Sequence, residues 1–286
     1  MRRIRTVLIL IFALAVLSAV LSSCSSSSGG SDFSPPAGGV GRSDVAVTDT
    51  EKREPDLPDN GKTIMIDPGH GFRDAGSGAE DHELGPDTNE ADVNLAVAKL
   101  LKEELLHLGY KVIMTHEGEI TPEIQKYVSK ESYQTYYFDP DERVELINSK
   151  KPDYSISLHC NVFGDPDVRG TKAYVFDNTL YSDNESENVK KARKIIERLH
   201  AVFPDAKEPT LDSQSYALVR DTTCDSVLIE MGFVTNPEDA ANLIDPEWQK
   251  TFARGVAEGV DSYFNPNGTA PAETGEETGS STAKAN

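Results

Sequence analysis

Three short apolar segments, each followed at once by a residue that carries chemistry, place the strongest constraint on the fold of this chain. The segments are residues 63–66, 154–158 and 226–229, and the functional residues that follow them are His70, His159 and Glu230. Short apolar runs of this kind are typical of buried strands in an α/β sheet. Ligands bind at the carboxyl ends of such strands. The pattern therefore predicts a site at one edge of a sheet, and two imidazoles with a carboxylate indicate a metal site.

The loop after the first segment is suited to holding one side chain in place. It reads Asp-Pro-Gly-His-Gly over residues 67–71. Proline fixes one backbone φ angle, and the two glycines permit backbone conformations that other residues resist. We therefore expect a rigid loop that presents His70 over the edge of the sheet.

The remainder of residues 62–264 alternates between predicted strands and predicted helices. Further strands are predicted at residues 110–115, 172–176 and 216–219, and the main helices at residues 89–108, 139–148, 188–203 and 248–264. Strands that alternate with amphipathic helices are typical of α/β folds, in which helices cover both faces of a parallel sheet. The sequence therefore predicts a single α/β domain with a twisted, mostly parallel sheet and helices on both faces.

A catalytic zinc site usually has three protein ligands and one position for water. His70 and His159 supply two neutral imidazoles, and a carboxylate is the expected third ligand. Glu90 is the predicted choice because it lies in the first turn of the helix that follows the His70 loop. The alternative role for Glu90 is to stabilise the amino terminus of that helix. Three loop residues also remain open as ligands: Glu80, His82 and Glu83.

The two ends of the chain are predicted to lie outside the folded domain. Residues 1–24 have the arginines, the apolar run and the small residues of an export signal. They end in Leu-Ser-Ser-Cys, so Cys24 is predicted to carry a lipid; a plain cleaved signal or a short anchor is the alternative. Residues 25–61 and 265–286 are too poor in apolar side chains to form a core, so we interpret them as a flexible linker and a disordered tail.

The net charge and the cysteine content argue against nucleic acid as a partner and against a disulfide framework. The formal net charge is −20 and the sequence pI is about 4.6, which argues against nucleic acid as a partner. The cysteines are Cys24, Cys160 and Cys224, too few to indicate a disulfide framework. Cys160 and Cys224 lie beside predicted core strands, and we interpret them as packed thiols, with a bridge between them left open.

Four motifs carry a resemblance to a known family. Residues 66–71, 90–95, 157–161 and 228–236 resemble, in order, the motifs of zinc-dependent N-acetylmuramoyl-L-alanine amidases of the type-3 family. The likeness extends over essentially all of residues 62–264. Any one of these motifs is weak, but four in the right order are specific.

The resemblance implies a zinc ion bound by His70, Glu90 and His159, with Glu230 as the catalytic carboxylate. It also implies a peptidoglycan hydrolase that cleaves the amide between N-acetylmuramic acid and L-alanine of the stem peptide. Together with the predicted lipid on Cys24, it places the protein outside the cytoplasm, anchored to the membrane, with a protein activator left open. The alternatives are a zinc carboxypeptidase that trims stem peptides and a non-catalytic wall-binding lipoprotein. A buried ion-pair partner is the alternative role for Glu230.

Two departures from the family pattern lie after the second predicted strand. The family usually has arginine after the threonine of this strand, whereas this chain has His116, which we predict to be an ordinary surface or loop histidine. Residues 117–139 form a longer segment than a minimal family member has there, and five aromatic side chains are crowded into it. We interpret this segment as a lid, a regulatory element or a variable loop.

Overall fold

The computed structural model describes residues 59–77, 84–85, 88–129 and 137–267. In that part of the chain six strands form one sheet with the order β2-β1-β3-β6-β4-β5. The strands are β1 Thr63–Pro68, β2 Lys111–Met114, β3 Tyr154–Asn161, β4 Lys172–Val175, β5 Thr210–Ser213 and β6 Ser226–Phe233. All neighbouring strands are parallel except β4 and β6, which pair in the antiparallel sense. The carboxyl ends of β1, β3 and β6 therefore meet at one edge of the sheet.

Helices cover both faces of this sheet. They are α1 Glu90–His107, α2 Pro140–Lys150, α3 Glu187–Val202, α4 Ala217–Arg220, α5 Pro237–Leu243 and α6 Pro246–Phe264, with a 3-10 turn at Ile124–Lys126. The main core lies between one face and helices α1, α3 and α6, where alternate residues of β1, β3 and β6 are fully buried. A smaller core on the other face packs Met65 against Phe138, Ile147 and Leu218, which come from α2, α4 and the chain before α2.

Close contact between α3 and α6 depends on a glycine. A Cβ atom at Gly259 would lie 2.6 Å from the Cα atom of Ile195, so a side chain there would force the two helices apart. The apolar faces of both helices, predicted from their spacing, lie inward against the sheet. This packing fixes the scaffold behind the sheet edge.

The predicted α/β class, the mostly parallel sheet and the helices on both faces are confirmed. The predicted strand at residues 216–219 is wrong, because Ala217–Arg220 forms a helical turn. Its two apolar residues, Leu218 and Val219, contact different clusters on the second face of the sheet. An apolar run as short as this one is too short for its periodicity to distinguish a strand from a helical turn. Strand β5 was not predicted, since this edge strand buries only Leu211.

Other expectations concern cysteines and the chain ends. Cys160 and Cys224 are both free thiols, Cys160 being buried, so the bridge left open between them is absent. Cys24, residues 1–24 and nearly all of the predicted linker and tail lie outside the described residues. None of the helices in the described ranges has the length and apolar character that a membrane span needs.

Candidate metal centre

The backbone after β1 is shaped around two histidine side chains. Gly69 donates its N–H to the Leu158 carbonyl at 2.8 Å, which ties the loop to the neighbouring strand. A Cβ atom at Gly69 would lie 2.2 Å from the imidazole of His159, so only glycine fits there. His70 adopts a φ of 62°, a left-handed conformation that is uncommon outside glycine. The loop therefore holds His70 beside His159, with ring centroids 4.9 Å apart.

Arg143 of α2 holds this loop from below. Its guanidinium is buried and donates Nη1–H to the Pro68 carbonyl at 2.7 Å and Nη2–H to the His70 carbonyl. Its Nε–H donates to the Phe138 carbonyl at 2.8 Å. Each carbonyl partner belongs to backbone that leads into the site. One arginine thus offsets the left-handed strain at His70 and joins the loop to the segment before α2.

The charge of Arg143 is balanced by Asp67, which is 1% exposed. Arg143 Nη1 lies 3.2 Å from Asp67 Oδ1. Thr115 and Ser157 donate hydroxyl hydrogen bonds to the same carboxylate at 2.6 and 2.7 Å. Burial alone would raise the pKa of Asp67, but the guanidinium and the two hydroxyl groups lower it below its usual range. Asp67 is therefore a charged structural partner beneath the site.

Glu90 brings a carboxylate to both imidazoles. It is 2% exposed and occupies the first turn of α1, between Asn89 and Asp92, the two residues of the capping box. Its Oε1 lies 3.2 Å from His70 Nε2 and 3.2 Å from His159 Nδ1. One possible ligand atom from each of the three residues lies within 4.8 Å of the others. This is the compact donor group that a single metal ion needs.

The Glu90 carboxylate is held in place by donors from three parts of the chain. Ser77 donates its N–H and its hydroxyl to Oε2, at 2.8 and 2.6 Å. Cys160 donates its N–H to Oε1 at 3.0 Å, and the Asn94 side-chain amide donates to Oε1 at 3.5 Å and to the Gly69 carbonyl at 3.1 Å. These contacts fix Glu90 relative to the loop and to β3.

The electrostatics of the group favour a positive charge. Burial lowers the pKa of His70, but hydrogen bonds and negative charge from Asp74 and Glu90 outweigh burial and raise it to about 10. Asp74 Oδ2 lies 2.8 Å from His70 Nδ1, and Tyr137 donates a hydrogen bond to Asp74. Burial raises the pKa of Glu90, yet the two imidazoles bring it well below its ordinary value. The site stabilises a cation, either a proton or a metal ion.

Glu230 stands next to this group on β6. It pairs with His159 across the β3–β6 ladder, so both side chains lie on the same face. Its Oε2 atom is buried and has no hydrogen-bond partner among the described residues. Burial, reinforced by the charge of Glu90, raises the pKa of Glu230 to about 7 despite the nearby imidazoles. The ion-pair alternative for Glu230 has no partner within those residues.

A cavity of about 360 Å3 opens over His70, His159 and Glu230. Aromatic side chains contribute to its lining, namely Tyr137 and Phe138 before α2 and Tyr216 before α4. Tyr137 and Phe138 belong to the aromatic-rich segment 117–139, of which residues 130–136 lie outside the described part. The end of that segment is therefore a wall of the site.

The structure brings His70, Glu90, His159 and Glu230 together at the predicted sheet edge. The loop rivals Glu80, His82 and Glu83 lie outside the described residues. Sequence reasoning missed Asp74 and Arg143. The position of Asp74, a carboxylate four residues after His70, could have indicated its role. Arg143 could not be recognised in this way, because it resembles an ordinary charged residue on an amphipathic helix.

The prediction of an ordinary surface or loop histidine is wrong in one respect for His116. This side chain follows β2 in a loop, but it is 1% exposed. Its Nε2 donates to the Pro68 carbonyl at 2.9 Å, and its Nδ1 accepts from the Gly118 N–H. Burial and the charge of Arg143 lower the pKa of His116 to about 4, so it is neutral. Like Arg143, His116 supports the loop that carries His70.

Comparison with known proteins agrees with this geometry. The family model of Amidase_3, described as N-acetylmuramoyl-L-alanine amidase, matches residues 64–262. A germination-specific N-acetylmuramoyl-L-alanine amidase of Bacillus subtilis is 31% identical over 217 residues, which are 75% of this chain and 85% of that protein.

Solved structures give the same result for the fold. The CwlD amidase from Clostridioides difficile, solved in complex with the GerS lipoprotein, superposes with a TM-score of 0.58 at 25% identity, covering 72% of this chain and 100% of that one. An N-acetylmuramoyl-L-alanine amidase from Clostridium difficile 630 has the same fold, with a TM-score of 0.58 at 21% identity over 72% of this chain and 98% of its own. With the family match spanning the whole sheet and its helices, the chain belongs to the Amidase_3 family of N-acetylmuramoyl-L-alanine amidases.

Proposed function

We propose that this protein hydrolyses the amide between N-acetylmuramic acid and L-alanine in peptidoglycan, using a zinc ion held by His70, Glu90 and His159. One observation carries the proposal. Two imidazoles and a carboxylate converge within 4.8 Å at the carboxyl edge of the sheet, beside Glu230, whose Oε2 atom has no hydrogen-bond partner among the described residues. The family membership supports the amidase activity, and the donor group supports the metal.

The donor set fits zinc better than the other common divalent ions. Two imidazole nitrogens and one carboxylate are a usual ligand set for catalytic Zn²⁺, whereas Mg²⁺ and Ca²⁺ prefer all-oxygen sites. The second nitrogen of His70 is bonded to Asp74, as ligating histidines usually are. When bound here, zinc supplies the Lewis acidity that polarises an amide carbonyl and lowers the pKa of water.

Glu230 performs the proton transfers in this proposal. Its free Oε2 accepts a proton from the attacking water and later donates it to the nitrogen of the departing peptide. Burial raises the pKa of the Glu230 carboxyl above its ordinary value, which favours a group that both takes up and releases a proton. The same carboxylate can thus act first as base and then as acid.

Metal removal tests the proposal directly. We expect the chelator-treated protein to lose hydrolysis of purified peptidoglycan and to regain it with about one equivalent of Zn²⁺ per chain, but not with Mg²⁺. Release of stem peptides and the appearance of new L-alanine amino termini are the measurements. Full activity in protein shown to be free of metal would contradict the proposal.

Asp74 is expected to tune the affinity of the site through His70. Asp74→Asn keeps the shape but removes the negative charge that faces His70 Nδ1, so zinc affinity should fall by about 10–100-fold. Competition with a fluorescent chelator measures this change. Asp183→Asn, at an exposed position, is the matched control. Equal affinities in the two variants would show that Asp74 does not act on the metal ligand.

We propose that the protein is exported and that Cys24 carries a lipid, because an apolar run ends in Leu-Ser-Ser-Cys before a segment poor in apolar residues. The substrate lies outside the cytoplasm, which supports export. Cys24→Ala is expected to move the protein from the membrane fraction to the soluble fraction, as measured by immunoblotting. Retention in the membrane would mean that the apolar run itself is the anchor.

A further inference from the structure

A half-buried lysine, Lys172, stands beside Glu230 on the side away from the metal ligands. It is the first residue of β4, and β6 lies between β4 and β3 in the sheet. Lys172 pairs with Glu230 directly across the antiparallel β4–β6 ladder, and His159 pairs with Glu230 across the parallel β3–β6 ladder. Residues directly opposite each other project from the same face of a sheet. The site face therefore carries His159, Glu230 and Lys172 in that order.

The ammonium group of Lys172 has no counter-ion in the described part of the chain. Its Nζ lies 5.8 Å from the centroid of the Phe233 ring, and no described carboxylate comes within ion-pair distance of it. Another half-buried lysine near the sheet, Lys62, is paired with Asp153. The chain carries 48 acidic and 28 basic residues, so carboxylates are abundant. An unpaired cation at this position is thus free to bind an anion from outside.

In the proposed reaction, the orientation of the scissile amide places the departing peptide on the side of Glu230 where Lys172 lies. Glu230 must reach the nitrogen of the departing peptide, while the carbonyl lies at the metal ligands. The peptide therefore extends from the position of Glu230 towards β4. Neighbouring strands are about 4.8 Å apart, and an extended peptide advances about 3.5 Å per residue. The second residue of the peptide thus comes within reach of the Lys172 side chain.

We propose that Lys172 binds a carboxylate on the second residue of the released peptide and so determines which stem peptides are cleaved efficiently. This inference rests on the proposed amidase function. The charge-assisted contact is formed before the bond breaks, so it stabilises bound substrate and transition state alike. Its effect should fall mainly on KM.

The test uses two synthetic substrates. Both are muramoyl-L-alanyl peptides, and they differ only in a free carboxylate or a carboxamide on the second residue. The zinc-loaded full chain is expected to prefer the carboxylate substrate by about ten-fold in kcat/KM, as for a charged hydrogen bond at a half-exposed site. Lys172→Gln should remove this preference, through loss on the carboxylate substrate alone. Lys172→Arg should keep most of it.

A matched control separates this role from a general charge effect. Lys99→Gln removes one exposed positive charge on α1 and should leave the preference unchanged. Equal loss on both substrates in Lys172→Gln would mean that Lys172 supports Glu230 or the fold, and would overturn the inference. Equal cleavage of the two substrates by the unmodified protein would overturn it while leaving the amidase function intact. If the unmodified protein cleaved neither substrate, both this inference and the proposed amidase function would be wrong.

Discussion

Replacing Glu230 with glutamine is expected to lower the rate of amide hydrolysis by about 10²–10⁴, or more, because general acid–base help is worth that much. Glutamine keeps the shape and the hydrogen-bonding capacity of the side chain but cannot accept a proton. The buried Oε2 atom of Glu230 has no other role among the described contacts, so the fold should be retained. Bound zinc should stay near one ion per chain, because the three proposed ligands are other residues.

Two quantities are measured for each variant: the rate of hydrolysis of purified peptidoglycan and the metal content. Glu103→Gln, an exposed change on α1, is the matched control and should have full activity. Loss of zinc in Glu230→Gln would show that Glu230 is a metal ligand and would contradict the assignment of Glu90 as the third ligand. Retention of both zinc and full activity would place the proton acceptor elsewhere.

Replacing Glu90 is expected to abolish metal binding at stoichiometric zinc. Glu90 supplies the carboxylate of the three-residue group, and loss of a direct ligand costs more than the 10–100-fold typical of an outer contact. Glu90→Gln keeps one acceptor oxygen and so retains the hydrogen bonds from either Ser77 or Cys160, whereas Glu90→Ala leaves all of these donors unpaired. We therefore expect both variants to lose zinc, and Glu90→Ala also to unfold at a lower temperature.

Glu83→Ala tests the loop alternative in the same assay. If Glu90 is the ligand, Glu83→Ala binds about one zinc ion per chain with the affinity of the unmodified protein. The reverse pattern, with zinc lost in Glu83→Ala and kept in Glu90→Gln, would move the third ligand into the loop. Thermal unfolding of each variant, followed by circular dichroism, separates loss of metal from loss of fold.

The positions of His70, His159 and Glu230 could be predicted from the sequence because each one ends a short apolar run. Parallel strands bring their carboxyl ends to a common edge, so local periodicity was enough to place these residues together. Glu90 needed the family resemblance as well. A carboxylate in the first turn of a helix is common for electrostatic reasons, and its spacing did not distinguish it from the loop carboxylates.

The residues that support the site could not be predicted in the same way. Arg143 lies on an amphipathic helix, and its burial depends on backbone carbonyls and a carboxylate more than 70 residues away in sequence. His116 is buried for a similar reason, since the loop carbonyl of Pro68 accepts its hydrogen bond. Such contacts depend on the path of a loop in three dimensions, which the periodicity of side chains does not encode.

Hydrolysis in water enriched in oxygen-18 tests the central claim most directly. A zinc-loaded muramoyl-peptide amidase adds one labelled oxygen to the lactyl carboxylate of N-acetylmuramic acid and releases the peptide with a free, unlabelled L-alanine amino terminus. Mass spectrometry of the products, with the metal-free protein as the control, reads both fragments. We expect label in the lactyl carboxylate of muramoyl groups that have lost their peptide, and only when zinc is bound. Label in the new carboxyl terminus of a shortened peptide that is still joined to the muramoyl group, with release of an unlabelled amino acid, would identify a carboxypeptidase and contradict the account.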